Sequence, residues 1–466
     1  MVLIAGSLTP ALAWADDDDV EIEATPASAP ASPPPAPPTP APAAPAPPPP
    51  APTPVAAATP TPAAAPAPAP VALGTAAWLE AHDLRLSGYA QLQYVTNETS
   101  EDEVDVDGDP LNQDRFMVRR ARLKVERSFR IARAMIELDA NTVRGPALDL
   151  RHAELSLFVP GKDALPSPLA LIVGLSDVPF GSELTEGSRS RVFMERTLAS
   201  RAFFAGEPDI GAELAGALGP LRYAVAAQNG QPVGDNPSTS TLPLAAEPSY
   251  AGRLGVVAGK EDGAHLVAGV SYLSGTGLHA GTPATKSSLS WSDSNQDGFV
   301  TLDELGANSG QAATASSTFA RWGVNADLSF SFATPLGWTR VLAEATMASN
   351  LDRTYFVADP VSTGYDLREL GWSAGATQEV TPWGVLGFRV DSYNPSSDVF
   401  DGRRGEFIPA DTSVVTLSPL VGACLPGFGR LVVQYDYVSD HLSRDATGRP
   451  VDLANDQWTA RLQGEF

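Results

Sequence analysis

Cysteine is almost absent from this 466-residue chain. Cys424 stands alone, so no internal disulfide framework holds the fold. No stretch approaches the ~20 unbroken apolar residues of a membrane-spanning helix. Any membrane-spanning part must therefore be a closed barrel, the other architecture that satisfies its own backbone in lipid. Basic charge is scarce: the net charge is −24, which argues against nucleic acid or anionic lipid as a partner. Lysine is reduced to Lys124, Lys162, Lys260 and Lys286. The five histidines, His82, His152, His265, His279 and His441, form no cluster in sequence. There is no Gly-x-Ser-x-Gly elbow and no His-x-x-x-His pair, so an outer-membrane hydrolase is the weakest of the alternatives and the chain is read as a non-enzyme.

What is present begins with a short apolar run, 2–15, closing on Ala13-Trp14-Ala15 before the acidic residues 16–19. That pattern resembles the core and cleavage site of a secretory signal peptide over 1–15. Its positive leader is missing, so the true start of translation is expected upstream. Residues 16–80 are acidic and then almost wholly proline and alanine, a composition that buries no core. Such a segment favours extended polyproline II at ~3 Å per residue. It reads equally as a periplasmic spacer touching the cell wall and as a low-complexity tail.

From residue 81 to 466 the pattern changes to segments of about ten residues with period-2 alternation, set between turn-rich stretches. The clearest is 319–332, where Ala320, Trp322, Val324, Ala326, Leu328, Phe330 and Phe332 share one face and Arg321, Asn325 and Asp327 the other. Sixteen such strands are expected, near 83–95, 115–126, 130–140, 149–158, 169–175, 210–218, 220–228, 250–258, 264–273, 319–332, 338–348, 369–379, 382–393, 412–423, 427–439 and 456–466. Short turns such as Gly219-Pro220 and Thr381-Pro382 alternate with long connections, including 176–209 and 274–318. Short turns at one end, long loops at the other and an even strand count predict a transmembrane antiparallel β-barrel facing outer-membrane lipid, with both termini in the periplasm. A soluble sandwich or propeller would not segregate its loops in this way. The last strand alternates Trp458, Ala460, Leu462, Gly464 and Phe466 against Thr459, Arg461, Gln463 and Glu465. It resembles the C-terminal strand of bacterial outer-membrane barrels, which implies recognition by the barrel-insertion machinery.

One succession of motifs is more specific. Phe116-Met117-Val118-Arg119-Arg120-Ala121-Arg122-Leu123 is followed by Val173-Gly174-Leu175, Val178-Pro179-Phe180-Gly181-Ser182-Glu183, Phe193-Met194-Glu195-Arg196, Asp209-Ile210-Gly211 and Asn229-Gly230. In this order they resemble the phosphate-selective porin O/P family, over most of 84–466. The resemblance implies a homotrimeric sixteen-stranded porin whose third outer loop, here 176–209, folds inward to narrow the pore. Passive diffusion of small hydrophilic or anionic solutes follows. The scarcity of lysine departs from a phosphate-selective lumen, so a general anion preference or weak selectivity is the expectation.

The candidate pore lining rests on parity and on that inward loop. Arg120, Arg122 and Lys124 share a face with Glu126, opposite Ala121, Leu123 and Val125. Arg133 on the next strand and Arg189, Arg191, Arg196 and Arg201 in the loop extend the set. Guanidinium groups bind phosphate or carboxylate with paired donors, and a column of them offers successive weak sites. The bland alternative is that these cations only neutralise Glu126, Glu137, Asp139, Glu154 and Glu195.

A second motif lies in the 274–318 insertion. Asp293, Asn295, Asp297, Gly298, Phe299, Thr301 and Glu304 match the twelve-residue calcium loop of an EF-hand: side-chain oxygens at the early positions, glycine at the sharp turn, a backbone carbonyl from Phe299 and a chelating final glutamate. A structural calcium ion of modest affinity is expected there. The acidic run 105–109 lacks the downstream glutamate and reads as a solvated loop. The calcium loop and the Pro/Ala segment together support the competing class, an envelope-tethering or adhesion barrel.

Overall fold

Alternation along the strands becomes a wall with two solvents. The computed structural model describes residues 82–98, 114–143, 145–159, 167–204, 208–230, 247–260, 263–299, 301–397, 413–440, 443–444, 450–452 and 455–466. The signal-peptide and Pro/Ala expectations, the 105–109 run and His441 lie outside these residues. Sixteen antiparallel strands close into one barrel. They are β1 (Leu84–Asn97), β2 (Arg115–Ser128), β3 (Ala132–Asn141), β4 (Ala147–Phe158), β5 (Ala170–Asp177), β6 (Pro208–Leu218), β7 (Leu221–Gln228) and β8 (Ser249–Gly259). There follow β9 (His265–His279), β10 (Ser317–Thr334), β11 (Gly337–Ser349), β12 (Arg368–Glu379), β13 (Gly384–Asn394), β14 (Val414–Leu425), β15 (Gly429–Asp440) and β16 (Gln457–Glu465).

Each strand pairs with its chain neighbour, and β16 returns to β1, from Tyr89 opposite Glu465 to Asn97 opposite Gln457. Reciprocal bonds between Gly88 and Phe466, at 3.0 and 3.1 Å, carry the ladder to the last residue. Closure of this kind leaves no edge strand in the wall.

Ile136, Leu155, Val173, Leu214, Val225, Leu254, Val270 and Val421 point outward and are exposed, while Gln91, Asn325, Ser418, Gln434 and Gln463 point inward and are buried. An apolar belt running around the whole barrel is far larger than a soluble surface carries. Aromatic side chains flank it: Phe129, Trp383, Phe428 and Phe466 at the short-turn end, Phe116, Tyr250 and Trp458 at the other. Such girdles mark the two lipid–water interfaces of a membrane barrel.

Two bulges break the parity. Gln91 pairs with Arg120 and Leu92 with Val118, so Arg119 is an extra residue on β2. Likewise Glu137 pairs with His152 and Leu138 with Leu150, leaving Arg151 extra on β4. A bulge rotates the residue beside it, and here Arg119 and Arg151 both turn into the barrel beside Arg120 and His152.

The lipid-facing assignment has a direct test. Leu254→Arg, in the middle of β8, is expected to cost roughly 2–4 kcal/mol of folding free energy in a bilayer. Urea titration of the barrel in lipid vesicles measures it, and an unchanged midpoint would take this face out of lipid.

Candidate functional site: a lumen divided by the loop between β5 and β6

The chain leaves β5 at Asp177 and enters the lumen, forming two short helices, α1 (Ser182–Thr185) and α2 (Leu198–Phe203), before β6. The reason is apolar. Val178, Phe180, Leu184, Leu198, Ala199, Ala202, Phe203 and Phe204 join one buried cluster with inward residues of distant strands: Ala251, Leu273, Ala348, Tyr393, Val414 and Val438. Phe193 and Met194 pack separately on Leu420 and Val432. Burying a side chain such as Phe180 or Phe203 stabilises by roughly 1.5–3 kcal/mol, so the loop is held as firmly as a core. Gly371 on β12 permits the contact, because a Cβ there would lie 2.2 Å from that of Ala199.

Polar anchors fix its orientation. Glu344 on β11 accepts hydrogen bonds from the amides of Ser182 and Glu183 and from the Ser182 hydroxyl, at 3.2, 2.9 and 2.7 Å. A carboxylate so placed satisfies the orphan donors of the first turn of α1. Thr197, which caps α2, donates from its amide and hydroxyl to Glu183 at 2.8 and 2.5 Å. Gln434 on β15 accepts from the Met194 amide at 2.9 Å.

The centre of the arrangement is Glu195. Arg119 donates to both its oxygens, each at 3.1 Å, Arg120 approaches to 3.4 Å, and Arg461 of β16 donates as well. Burial alone would raise this carboxyl; the guanidinium groups of Arg119, Arg120 and Arg461 outweigh it and hold Glu195 well below the usual carboxylate range. One loop carboxylate thus ties the loop tip to β2 and β16.

Between the loop and β1–β5 lies a cavity of about 400 Å³. Arg85, Arg122, Lys124, Arg151, Arg189 and Arg196 line it, with Glu126, Glu137, Asp177 and Glu186 opposed to them. Arg122 pairs with Asp139 at 2.7 Å and with Glu137 at 3.6 Å, Lys124 with Glu126 at 3.1 Å, Arg133 with Glu154 at 2.8 Å and with Glu126 at 3.7 Å. Alternating charges therefore climb β2, β3 and β4 as a ladder.

The eight expected cations separate into groups. Arg122, Lys124, Arg189 and Arg196 reach this cavity, and Arg133 borders the next one towards the short turns. Arg120 lies under Glu195. Arg191 is buried in the loop and donates to the Glu186 carbonyl at 3.2 Å; burial, with the like charge of Arg120, lowers its pKa further than nearby Glu183 and Glu195 restore it. Arg201 is buried within α2. Arg196 donates to the Glu183 and Leu184 carbonyls at 3.1 and 2.9 Å, so its role is partly to brace the loop. Parity concealed Arg119 and Arg151, and Arg461 was visible only as a polar position of the last strand.

The β9–β10 connection carries a small hairpin, Ser288–Trp291 with Leu305–Asn308, around the acidic loop. The Asp293 carboxylate accepts from the Asp297 and Gly298 amides at 3.1 and 2.9 Å, and Gly298 makes the turn at φ +77°. Glu304 accepts from the amides of Ser294 and Thr301, each at 3.1 Å, and from the Thr301 hydroxyl at 2.9 Å. The hydrogen bond from the Thr301 hydroxyl does most to lower its pKa to about 2. Among the described residues no three His, Cys, Asp or Glu side chains converge as a metal cluster. The donor set of Asp293, Asn295, Asp297, Phe299, Thr301 and Glu304 is all oxygen, which fits a hard cation.

These features define a class: a sixteen-stranded membrane barrel with one connection packed inside its lumen. The chain is similar to OprB of Pseudomonas putida, with a TM-score of 0.50 at 11% identity, over 84% of this chain and 96% of that one. It also matches OmpF of Salmonella typhi (TM-score 0.47, 12% identity, 82% of this chain, 97% of that one) and OmpT, an outer membrane protein of Vibrio cholerae (0.47, 9%, 82%, 99%). The fold is that of the outer-membrane porins. No protein-family model matches the chain, and no curated protein matches it.

Replacing the central carboxylate tests the anchoring. Glu195→Gln leaves three guanidinium groups around a neutral amide and is expected to destabilise the packed loop by roughly 3 kcal/mol, seen as noisier open-channel current and faster chymotrypsin cleavage at Phe193. A depressed carboxyl contributes fully above its unfolded value, and its contribution is gone once pH has fallen through the folded value. The native current should therefore be quiet above the ordinary carboxylate range and grow progressively noisier as pH falls from that range towards the lower folded value of Glu195. A native current indifferent to pH down through and below that range, or a quiet Glu195→Gln channel, would contradict the role given to Glu195.

Proposed function

We propose that the protein is an outer-membrane porin that lets small hydrophilic solutes diffuse passively, with a preference for anions. The observation that carries this is the passage beside the loop, where six cationic side chains face four carboxylates. Charged rings at close quarters are how pores select ions. Because Arg122, Lys124 and Arg133 are each paired with carboxylates, their net field is weak, which supports modest anion selectivity over tight phosphate capture. Among inorganic anions, phosphate, with its bidentate fit to guanidinium, is expected to compete best.

The wider setting belongs to the same proposal. The apolar belt faces outer-membrane lipid, the terminal aromatic strand serves the barrel-insertion machinery, and the short turns lie in the periplasm with the Pro/Ala segment. A homotrimer is the assembly that the resemblance to phosphate-selective porins implies, and OmpT of Vibrio cholerae is described in a trimer form.

Bilayer recordings decide the transport reading. Single channels under a KCl gradient should show stable steps, a reversal potential on the chloride side and block by phosphate. A cation-side reversal would remove the anion preference, and silence from folded barrels would remove the porin.

Calcium at the β9–β10 hairpin is a separate proposal, supported by the complete twelve-residue spacing and the all-oxygen donor set. Its role there is to order the long connection. Calorimetry on the intact protein should give a Kd on the order of 10⁻⁴–10⁻³ M, the range of extracellular calcium modules, and Glu304→Gln should abolish the heat. Equal heats from both proteins would dismiss the site.

A further inference from the structure

Towards the short-turn end, the lumen wall formed by β3 to β8 changes character. A second cavity, of about 320 Å³, is lined by Phe158, Ile172, Ala170, Ala215 and Ala224 together with Arg133, Arg222 and Arg253, and no carboxylate lies among its lining residues. An aqueous pore has no need of an apolar wall. In a lumen, unlike the outer face, such a surface meets water unless a solute covers it.

The three arginines are not equivalent. Arg133 is held by Glu154 and Glu126, and Arg253 reaches Asp327 with two bonds at 2.5 and 2.8 Å. Arg222 instead donates one nitrogen to the Gly219 and Leu221 carbonyls, at 2.6 and 3.1 Å, and meets no carboxylate among the described residues. Carbonyls orient a guanidinium without cancelling its charge. The cavity thus offers one uncompensated cation beside an apolar face made by Phe158 and Ile172.

We propose that this cavity is a binding subsite for small organic acids, in which Arg222 takes the carboxylate and the Phe158–Ile172 face takes a compact aromatic or alicyclic body. The size suits a ligand of that class. The subsite rests on the porin reading for how a solute arrives. The ladder Lys124, Glu126, Arg133 leads from the larger cavity into it, since Glu126 lines the first and Arg133 the second. Phosphate gains nothing from the apolar face, and a neutral aromatic gains nothing from Arg222. Selectivity between organic and inorganic anions is then set here, beyond the loop.

The test combines binding with conductance on the full-length folded barrel. Calorimetric titration with benzoate and cyclohexanecarboxylate should show binding at least ~10-fold tighter than acetate or phosphate, since burying a ring is worth well over the 1.4 kcal/mol of a tenfold change. Arg222→Gln should weaken benzoate ~10-fold, as loss of a charge-assisted contact does, and Phe158→Ala should weaken benzoate while leaving acetate unchanged. Acetate binding as tightly as benzoate, or benzoate indifferent to Arg222→Gln, overturns the subsite. KCl conductance without preferential benzoate binding leaves the porin standing and removes this inference. Preferential benzoate binding to barrels that do not conduct supports the subsite and removes the porin.

Discussion

The constraint behind every other feature is that a backbone amide in hydrocarbon has no water to turn to. Sixteen strands meet it by pairing in a ring, and the ring is complete only because β16 finds β1 over nine residue pairs. Each unpaired group would cost several kcal/mol in lipid, so the register at this seam is tightly specified. A slip of one residue would carry Arg461 and Gln463 into lipid and Trp458 and Leu462 into the lumen. The aromatic terminus sits at the end of this seam, where the Phe466 backbone still pairs with Gly88.

Closure creates an interior, and the interior is divided by solvent preference. The lumen side of β8 to β15 carries Leu273, Ala348, Leu420, Val432 and Val438, which an empty channel would leave wet. The β5–β6 connection covers them with its own apolar residues and meets the far wall through Glu195. A cavity stays open beside β1–β5, where Arg122, Lys124, Glu126 and Glu137 face the loop. The pore is thus placed by what the loop cannot cover. A flexible constriction would be the expectation for a polar loop, whereas this one, with Phe180, Leu184, Ala202 and Phe203 almost fully buried, belongs to the structured core.

All sixteen strands were legible, because a wall between lipid and water imposes a period of two that composition cannot hide. Their ends were less so. β9 was expected to stop at Leu273 and runs to His279, through Gly275 and Gly277. Above the lipid belt both faces are wet, so the strand continues after the apolar signal has ended. Arg119 and Arg151 were hidden for a different reason: a bulge is a property of the pairing, visible only when the partner strand is present. In the loop, residue type alone does not separate an arginine that faces solutes from one like Arg196 that satisfies backbone carbonyls. The apolar patch at Phe158 and Ile172 was equally invisible, since alternation assigns an inward position without saying what shares the space.

The pairing of lumen charges determines what kind of selectivity such a barrel has. An unpaired column of guanidinium groups would bind a phosphate tightly and release it slowly, which opposes flux. Interleaving Glu126, Glu137, Asp139 and Glu154 with the cations of β2, β3 and β4 flattens the potential into a series of shallow wells. It also fixes long side chains that would otherwise sweep the passage. The same carboxylates prevent the self-repulsion of closely stacked cations, which the low dielectric of a narrow lumen would magnify. Stability and throughput therefore favour the same arrangement, and in the proposed subsite it is Arg222, held by carbonyls rather than a carboxylate and set beside an apolar wall, that would discriminate among anions.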